Sequence, residues 1–283
     1  IILLQNLRFH LEEEKNDLEF CKQLAQYGDY FVQEAFGTVH RKHASTYGII
    51  AHFKNKSFGG FLIKKEIHSL DKIVENPKHP FAAILGGAKV SDKIKVIEKL
   101  LPHVDKLLIG GAMAYPFLAA TGHAVGKSLC SEDDIKLAKQ ITHLKAADKL
   151  LLPVDHVIAS NPQSSSELHH QVNIPNDKMG LDIGPATIKL FCETLAPMKT
   201  VLWNGPMGLF ENPNFAKGTN EIALTLAKID GFTVVGGGDS ASAVKHAGVA
   251  NKFSHISTGG GASLEYIENG TLPGIQALKF GVE

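Results

Sequence analysis

Between Ala82 and Ser257 the chain repeats one pattern, and nothing else in it restricts the possible folds as strongly. Short apolar runs, AAILGG, KLLIGG, KLLLPVD, TVLWNG, TVVGGG and HISTGG, alternate with amphipathic stretches such as Asp92–Leu101, Glu132–Ala147, Ala186–Leu195 and Asn220–Ile229. Apolar residues in these stretches recur at three and four, the spacing of a helix with one buried face. Strand, crossover helix, strand is the pattern of a parallel sheet covered on both faces, which explains why AAIL and KLLI are continuously apolar. The six runs suffice for one doubly wound sheet. Two earlier runs, IILLQ and YFVQEA, with Arg8 and Phe36–Thr46 at their ends, belong to a separate unit. The segment SFGGFLIKKEIHSLDKIVENPKHP lies between them, with glycines before, prolines after and a helical pattern at Phe61, Leu62, Ile67, Leu70, Ile73 and Val74. It reads as a connecting helix, the plainer alternative being one more crossover.

Composition narrows the function. The 283 residues carry 29 basic and 29 acidic side chains, so no global field favours nucleic acid or an acidic membrane, and any anion site has to be built locally. Three scattered cysteines, Cys21, Cys130 and Cys192, form neither a disulfide framework nor a metal-ligand spacing, which points to a reducing cytoplasm. No apolar run approaches the roughly 18 residues of a membrane span. The chain opens at Ile1 without a methionine or a basic leader and is expected to be a fragment.

Ligands of open α/β sheets bind beyond the carboxyl ends of the strands. Four of those ends carry glycines here: Gly86-Gly87, Gly110-Gly111, Gly236-Gly237-Gly238 and Gly259-Gly260-Gly261. Bare backbone lets N–H groups approach an anion, and a following helix adds its positive end, so this rim is expected to receive phosphates. Neither a GxxxxGK[ST] loop nor a GxGxxG fingerprint with a distant acidic residue is present, which argues against a P-loop enzyme and a dehydrogenase. Lys89 and Lys93 would share a face of a helix beginning near Val90 and reach a polyphosphate together; otherwise they are solvated. Asp239 follows three glycines at a helix start, as an N-cap or as a single hard ligand for magnesium held with substrate phosphates, and Ser240 offers a hydroxyl. Asn204 and Glu211 flank the turn after TVLWN, where a carboxylate suits ribose hydroxyls or is simply solvated.

Taken together, LLQNLRFHLEEEKND, EAFGTVHRKHAST, GGFLIKKE, AILGGAKVSDKI, LLIGGAMAYPFL, MGLDIGPATI, VLWNGPMGLFE, VVGGGDSASAV and SHISTGGGASLEYI resemble the phosphoglycerate kinases, in the family's order and over essentially the whole chain. The resemblance implies two Rossmann-like, doubly wound parallel-sheet domains joined by a hinge helix, with the N-terminal domain incomplete. Residues 1–60 would be the remnant of the domain that binds 3-phosphoglycerate, 61–79 the hinge helix and linker, 80–275 the nucleotide domain and 276–283 a tail. The implied reaction is reversible phosphoryl transfer between 1,3-bisphosphoglycerate and Mg-ADP, giving 3-phosphoglycerate and Mg-ATP. It would be carried by a cytoplasmic monomer that binds neither nucleic acid nor membrane. The same resemblance assigns Lys89 to the migrating group, Lys93 to nucleotide phosphate, Asp239 to Mg2+ and Glu211 to ribose. Gly110, Gly111 and apolar residues near Leu181–Pro185, with Leu181 and Gly184 among the nucleotide-binding positions, would wall the adenine. Gly87, Ala88, Asn204, Gly236, Gly237 and Ser240 would complete the nucleotide site, and Gly238, Gly260 and Gly261 would face the moving charge. Arg8, His40 and Arg41 would hold the acid's phosphate, and Gly260 and Gly261 would also belong to the substrate-binding set. Gln5, Glu34 and Ser240 depart from the family's usual glutamate, aspartate and threonine. A second reading is that the chain is a truncated nucleotide-binding module with little or no transfer activity.

Overall fold

The computed structural model describes residues 1–282, which form two compact units: residues 1–74 together with the chain from 258 onward, and residues 75–257. The strands are β1 (Phe31–Gln33), β2 (Ser57–Gly59), β3 (Phe81–Leu85), β4 (Lys106–Ile109), β5 (Leu150–Leu151), β6 (His156–Ala159), β7 (Glu167–His169), β8 (Met179–Ile183), β9 (Thr200–Asn204), β10 (Phe232–Gly236) and β11 (His255–Ile256).

The larger unit is built on a six-stranded sheet in the order β11-β10-β9-β3-β4-β5, and every pairing in it is parallel. Its strands are the six runs expected from the sequence. All five residues of β3 and of β9 are buried, as the lack of alternation in AAIL and TVLW requires for strands covered on both faces. On the face bearing Trp203, Ala82 and Ile84, the helices Pro185–Leu195 and Lys217–Leu226 contribute Phe191, Leu195, Ile222 and Leu226 to one cluster. Burying each such side chain is worth about 1.5–3 kcal/mol. A second sheet, β7-β6-β8, is antiparallel and was not anticipated from the sequence.

The smaller unit contains the parallel pair β1-β2 and the helix Phe61–Val74. Glu34 caps that helix, its carboxylate accepting the amides of Leu62 at 2.8 Å and Ile63 at 3.2 Å. Thr258 donates its amide and its hydroxyl, each at 2.7 Å, to Glu66 on the same helix, and Tyr266 donates to Asp71 at 2.6 Å. These bonds explain why residues 258–275, assigned from sequence to the nucleotide domain, cluster with the N-terminal segment. The anticipated tail is a helix over Pro273–Phe280, pinned where Gly274 donates to the carbonyl of Val39 at 3.0 Å; residue 283 lies outside the described residues. Ile1–Gln5 form no strand. The units divide at Val74, so the linker residues 75–79 go with the larger one.

Candidate functional site

Because the sheet is parallel, the carboxyl ends of β10, β9, β3 and β4 stand side by side on one rim, with Leu85 registered against both Asn204 and Ile109, and Gly236 against Asn204. Backbone bonds knit the turns that follow. Gly86 donates to the carbonyl of Asn204 at 2.9 Å, Gly87 to Pro206 at 3.2 Å, Gly110 to Leu85 at 2.9 Å and Gly111 to Met207 at 3.0 Å. A Cβ on Gly86 would collide with the Pro206 carbonyl, and one on Gly111 would sit 2.7 Å from the Gly87 nitrogen. These glycines therefore let backbone approach backbone, and their amides are spent inside the protein. The free amides are at the other corner. Gly237, at φ +89°, turns the chain into the helix Gly238–His246, whose first turn has N–H groups without intrahelical partners. No Cβ contact crowds Gly238.

Two adjoining cavities occupy this rim. One, of about 320 Å³, is apolar and lined by Gly111, Ala112, Tyr115, Leu129, Met179, Gly180, Leu181, Gly208 and Leu209, with Glu211 among its few polar groups. The other, of about 240 Å³, is polar and lined by Lys89, Asp92, Lys93, Asn204, Gly237, Gly238 and Ser240. Gly87, Ala88, Pro206 and Asp239 line both. The result is an apolar slot opening into a chamber with cations and a helix N-terminus, which matches a purine followed by its phosphates.

Lys89 and Lys93 do not share a helix face. The helix begins at Ile94, and Lys93 is its N-cap residue; the preceding turn is held by the Ser91 amide donating to Asp134 at 3.1 Å. The Lys93 ammonium folds back beneath the rim and donates to the carbonyls of Gly86 and, at 3.1 Å, Asn204. Burial pushes its pKa down to about 8, against the opposing pull of Asp92 and Asp239. Lys89 stays exposed and makes no hydrogen bond or ion pair among the described residues. The oxygen of Ser240 accepts the Gly205 amide at 2.6 Å, so this hydroxyl fastens the turn after β9 to the helix start.

Several residues assigned from sequence fall elsewhere. Gly184 lines neither cavity; it lies against Asp155, which binds the amides of Ala186 at 2.8 Å and Thr187 at 2.7 Å and so caps the helix Pro185–Leu195. Gly110 and Gly236 stand behind the lining. Gly260 and Gly261 belong to the smaller unit, where Gly261 approaches His40. His40 is partly buried there. Its Nε2 lies 3.9 Å from Glu265, its Nδ1 has no partner, and burial lowers its pKa against the pull of Glu265. Arg8 donates to Nδ1 of His43 at 2.7 Å and lies 3.6 Å from Glu14, while Arg41 remains exposed. His43 was missed, since only its buried contact with Arg8 separates it from a solvated basic loop. Met179 and Gly180 were missed because the second sheet was, and Tyr115, on the helix Ala114–Ala120, and Leu129 were missed because nothing in the sequence shows that they meet that sheet.

A doubly wound sheet with this bipartite rim defines a nucleotide-binding α/β protein. Comparison with known proteins narrows the class. Residues 1–270 match the family model "Phosphoglycerate kinase". A phosphoglycerate kinase of Anaeromyxobacter sp. (strain Fw109-5) is 53% identical over 283 residues, covering 99% of this chain and 71% of the relative. That of Lactobacillus delbrueckii subsp. lactis is 53% identical over 291 residues, covering 98% and 72%. The solved phosphoglycerate kinase of Coxiella burnetii superposes with a TM-score of 0.88 at 37% identity, covering 98% of this chain and 72% of the other. The chain belongs to the phosphoglycerate kinase family, and it is a kinase of that family's two-domain fold. The comparisons support this reading and give none to the truncated binding module. No helix among the described residues is long and apolar enough to cross a membrane.

Proposed function

We propose that the chain carries out phosphoryl transfer between the acyl phosphate of 1,3-bisphosphoglycerate and Mg-ADP, giving 3-phosphoglycerate and Mg-ATP, as a cytoplasmic monomer in glycolysis. The observation that carries this is the pair of cavities sharing Gly87, Ala88, Pro206 and Asp239, one shaped for a base and the other for its phosphates. The purine would lie between Gly111, Leu181 and Leu209, with Glu211 placed for the ribose. Lys93 would bind nucleotide phosphate through the N–H left after its two carbonyl bonds, and the amides of Gly238, Asp239 and Ser240 would face phosphate oxygens. Lys89, exposed on the lining of the chamber and unpaired among the described residues, would follow the migrating group. In the smaller unit Arg8, His40 and Arg41 would hold the phosphate of the acid, with His43 fixing Arg8.

Phosphoryl transfer leaves the protein little covalent work, so positioning and electrostatics carry the catalysis. The donor set suits magnesium. No group of three or more His, Cys, Asp or Glu side chains forms a metal cage among the described residues, whereas the phosphate chamber is lined by two exposed carboxylates, Asp92 and Asp239, of which Asp239 also borders the apolar cavity. One carboxylate completed by substrate phosphates and water is a usual magnesium environment. When bound with the nucleotide, magnesium neutralises phosphate charge.

Calorimetric titration with ADP tests the reading. Binding is expected to tighten with magnesium in the parent chain, and Asp239→Asn should lose most of that magnesium dependence while still binding free ADP. Absence of any heat with Mg-ADP would overturn the site assignment, and unchanged magnesium dependence in the variant would remove Asp239 from the metal.

A further inference from the structure

The first turn of the helix Lys217–Leu226 joins two parts of the lining of the apolar cavity without touching its contents. One part of the lining is β8, with Met179, Gly180 and Leu181; the adjoining part is the turn after β9, with Pro206, Gly208, Leu209 and Glu211. Asp182 follows Leu181 and is 1% exposed. Its carboxylate accepts the amide of Gly218, in the helix's first turn, at 2.7 Å and the amide of Ile183 at 2.9 Å. One residue further, the fully buried hydroxyl oxygen of Thr219 accepts the amide of Met207 at 3.0 Å. The amide of Leu209 donates directly to the carbonyl of Leu181 at 2.8 Å. Gly208 lies so close that a Cβ there would stand 2.6 Å from the Leu181 carbonyl and collide with Asp182.

A buried carboxylate is an expensive way to join two elements. Burial pushes the Asp182 carboxyl up to about 7, and the Gly218 and Ile183 amides draw it back. An apolar residue would fill the space at lower cost, but it would fix neither direction nor distance. Asp182 and Thr219 are absent from the linings of both cavities, so neither is a contact residue.

We propose that Asp182 and Thr219 are positioning residues for the nucleotide: through Gly218 and Met207 they fix the two adjoining lining segments of the apolar cavity, β8 and the turn after β9, against each other. The inference rests on the nucleotide-binding reading. A small displacement of a binding wall is costly out of proportion to its size, because the contacts it carries depend on geometry.

The test measures Kd for Mg-ADP by calorimetry and KM for both substrates in the parent chain, Asp182→Asn, Thr219→Val and Thr219→Ser. Asp182→Asn keeps the volume but turns an NH2 group toward one of two amide donors, and Thr219→Val deletes the acceptor for Met207. Both are expected to raise Kd and KM for Mg-ADP about tenfold, with KM for 3-phosphoglycerate within about twofold of the parent and Thr219→Ser restoring most of the affinity. Folded variants with unchanged Kd would overturn the proposal. So would a parallel rise in both KM values, or a Thr219→Ser variant as impaired as Thr219→Val, since either marks a general structural role. If Asp182→Asn fails to fold, the two Thr219 variants decide. A parent chain that does not bind Mg-ADP would refute the nucleotide reading, and the inference with it. Binding by the parent with no change in the variants refutes the inference alone.

Discussion

Replacing Lys89 with alanine is expected to lower kcat by about a hundred- to a thousandfold while Kd for Mg-ADP stays within about threefold. The expectation follows from where the two lysines stand. Lys93 is locked under the rim by two carbonyls, which suits the ground-state phosphate contact proposed for it. Lys89 is exposed on the chamber lining and pairs with nothing among the described residues, so its ammonium can meet charge that exists only as the phosphoryl group leaves. Interactions stronger in the transition state than in the ground state appear in kcat and not in affinity. Saturating kinetics alongside a titration with Mg-ADP separate the two quantities. Equal losses in both would make Lys89 a plain binding residue.

Lys93→Met should act in the opposite sense, weakening Mg-ADP by about ten- to a hundredfold, and it should also abolish a pH dependence. With a pKa near 8, the Lys93 ammonium is mostly charged at pH 7 and mostly neutral at pH 9. Phosphate binds the charged form, so affinity in the parent chain is expected to fall as pH rises, by about tenfold between pH 7 and pH 9 when the bound form stays protonated. The direction is fixed by the cause: burial favours the neutral amine, and only Asp92 and Asp239 oppose it. Methionine fills similar space without charge, so its profile over this range should be flat. A parent chain whose affinity does not change from pH 7 to pH 9 would show that Lys93 makes no direct contact with phosphate.

Much of the fold was legible because its strands announce themselves. A strand buried on both faces is apolar along its buried length, as AAIL, the LLI after Lys106 and the VLW after Thr200 are. The antiparallel β6, β7 and β8 were not legible, since three to five residues such as ELH or MGLDI are too short to display a period. The apolar wall they supply, including Met179 and Gly180, was lost with them. IILLQ shows the converse: an apolar run becomes a strand only where a partner pairs with it. The glycines were read as a row of free amides, but Gly86, Gly87, Gly110 and Gly111 donate within the protein, and the unpartnered amides at this rim belong to the first turn of the helix Gly238–His246. Lys93 could not be placed from spacing, since its side chain answers carbonyls of Gly86 and Asn204, the second 111 positions away. Gly184 was assigned to the adenine wall from its place beside Leu181, and sequence does not show that Asp155 packs against it there.

The central claim is that one sheet rim seats the whole nucleotide. A crystal structure of the chain with Mg-ADP tests it most directly. The purine should lie between Gly111, Leu181 and Leu209, with phosphate oxygens within hydrogen-bonding distance of the Lys93 ammonium and the first amides of the helix Gly238–His246, and with the metal on Asp239. Nucleotide bound away from this rim, or phosphates reaching neither Lys93 nor that helix start, would contradict the account.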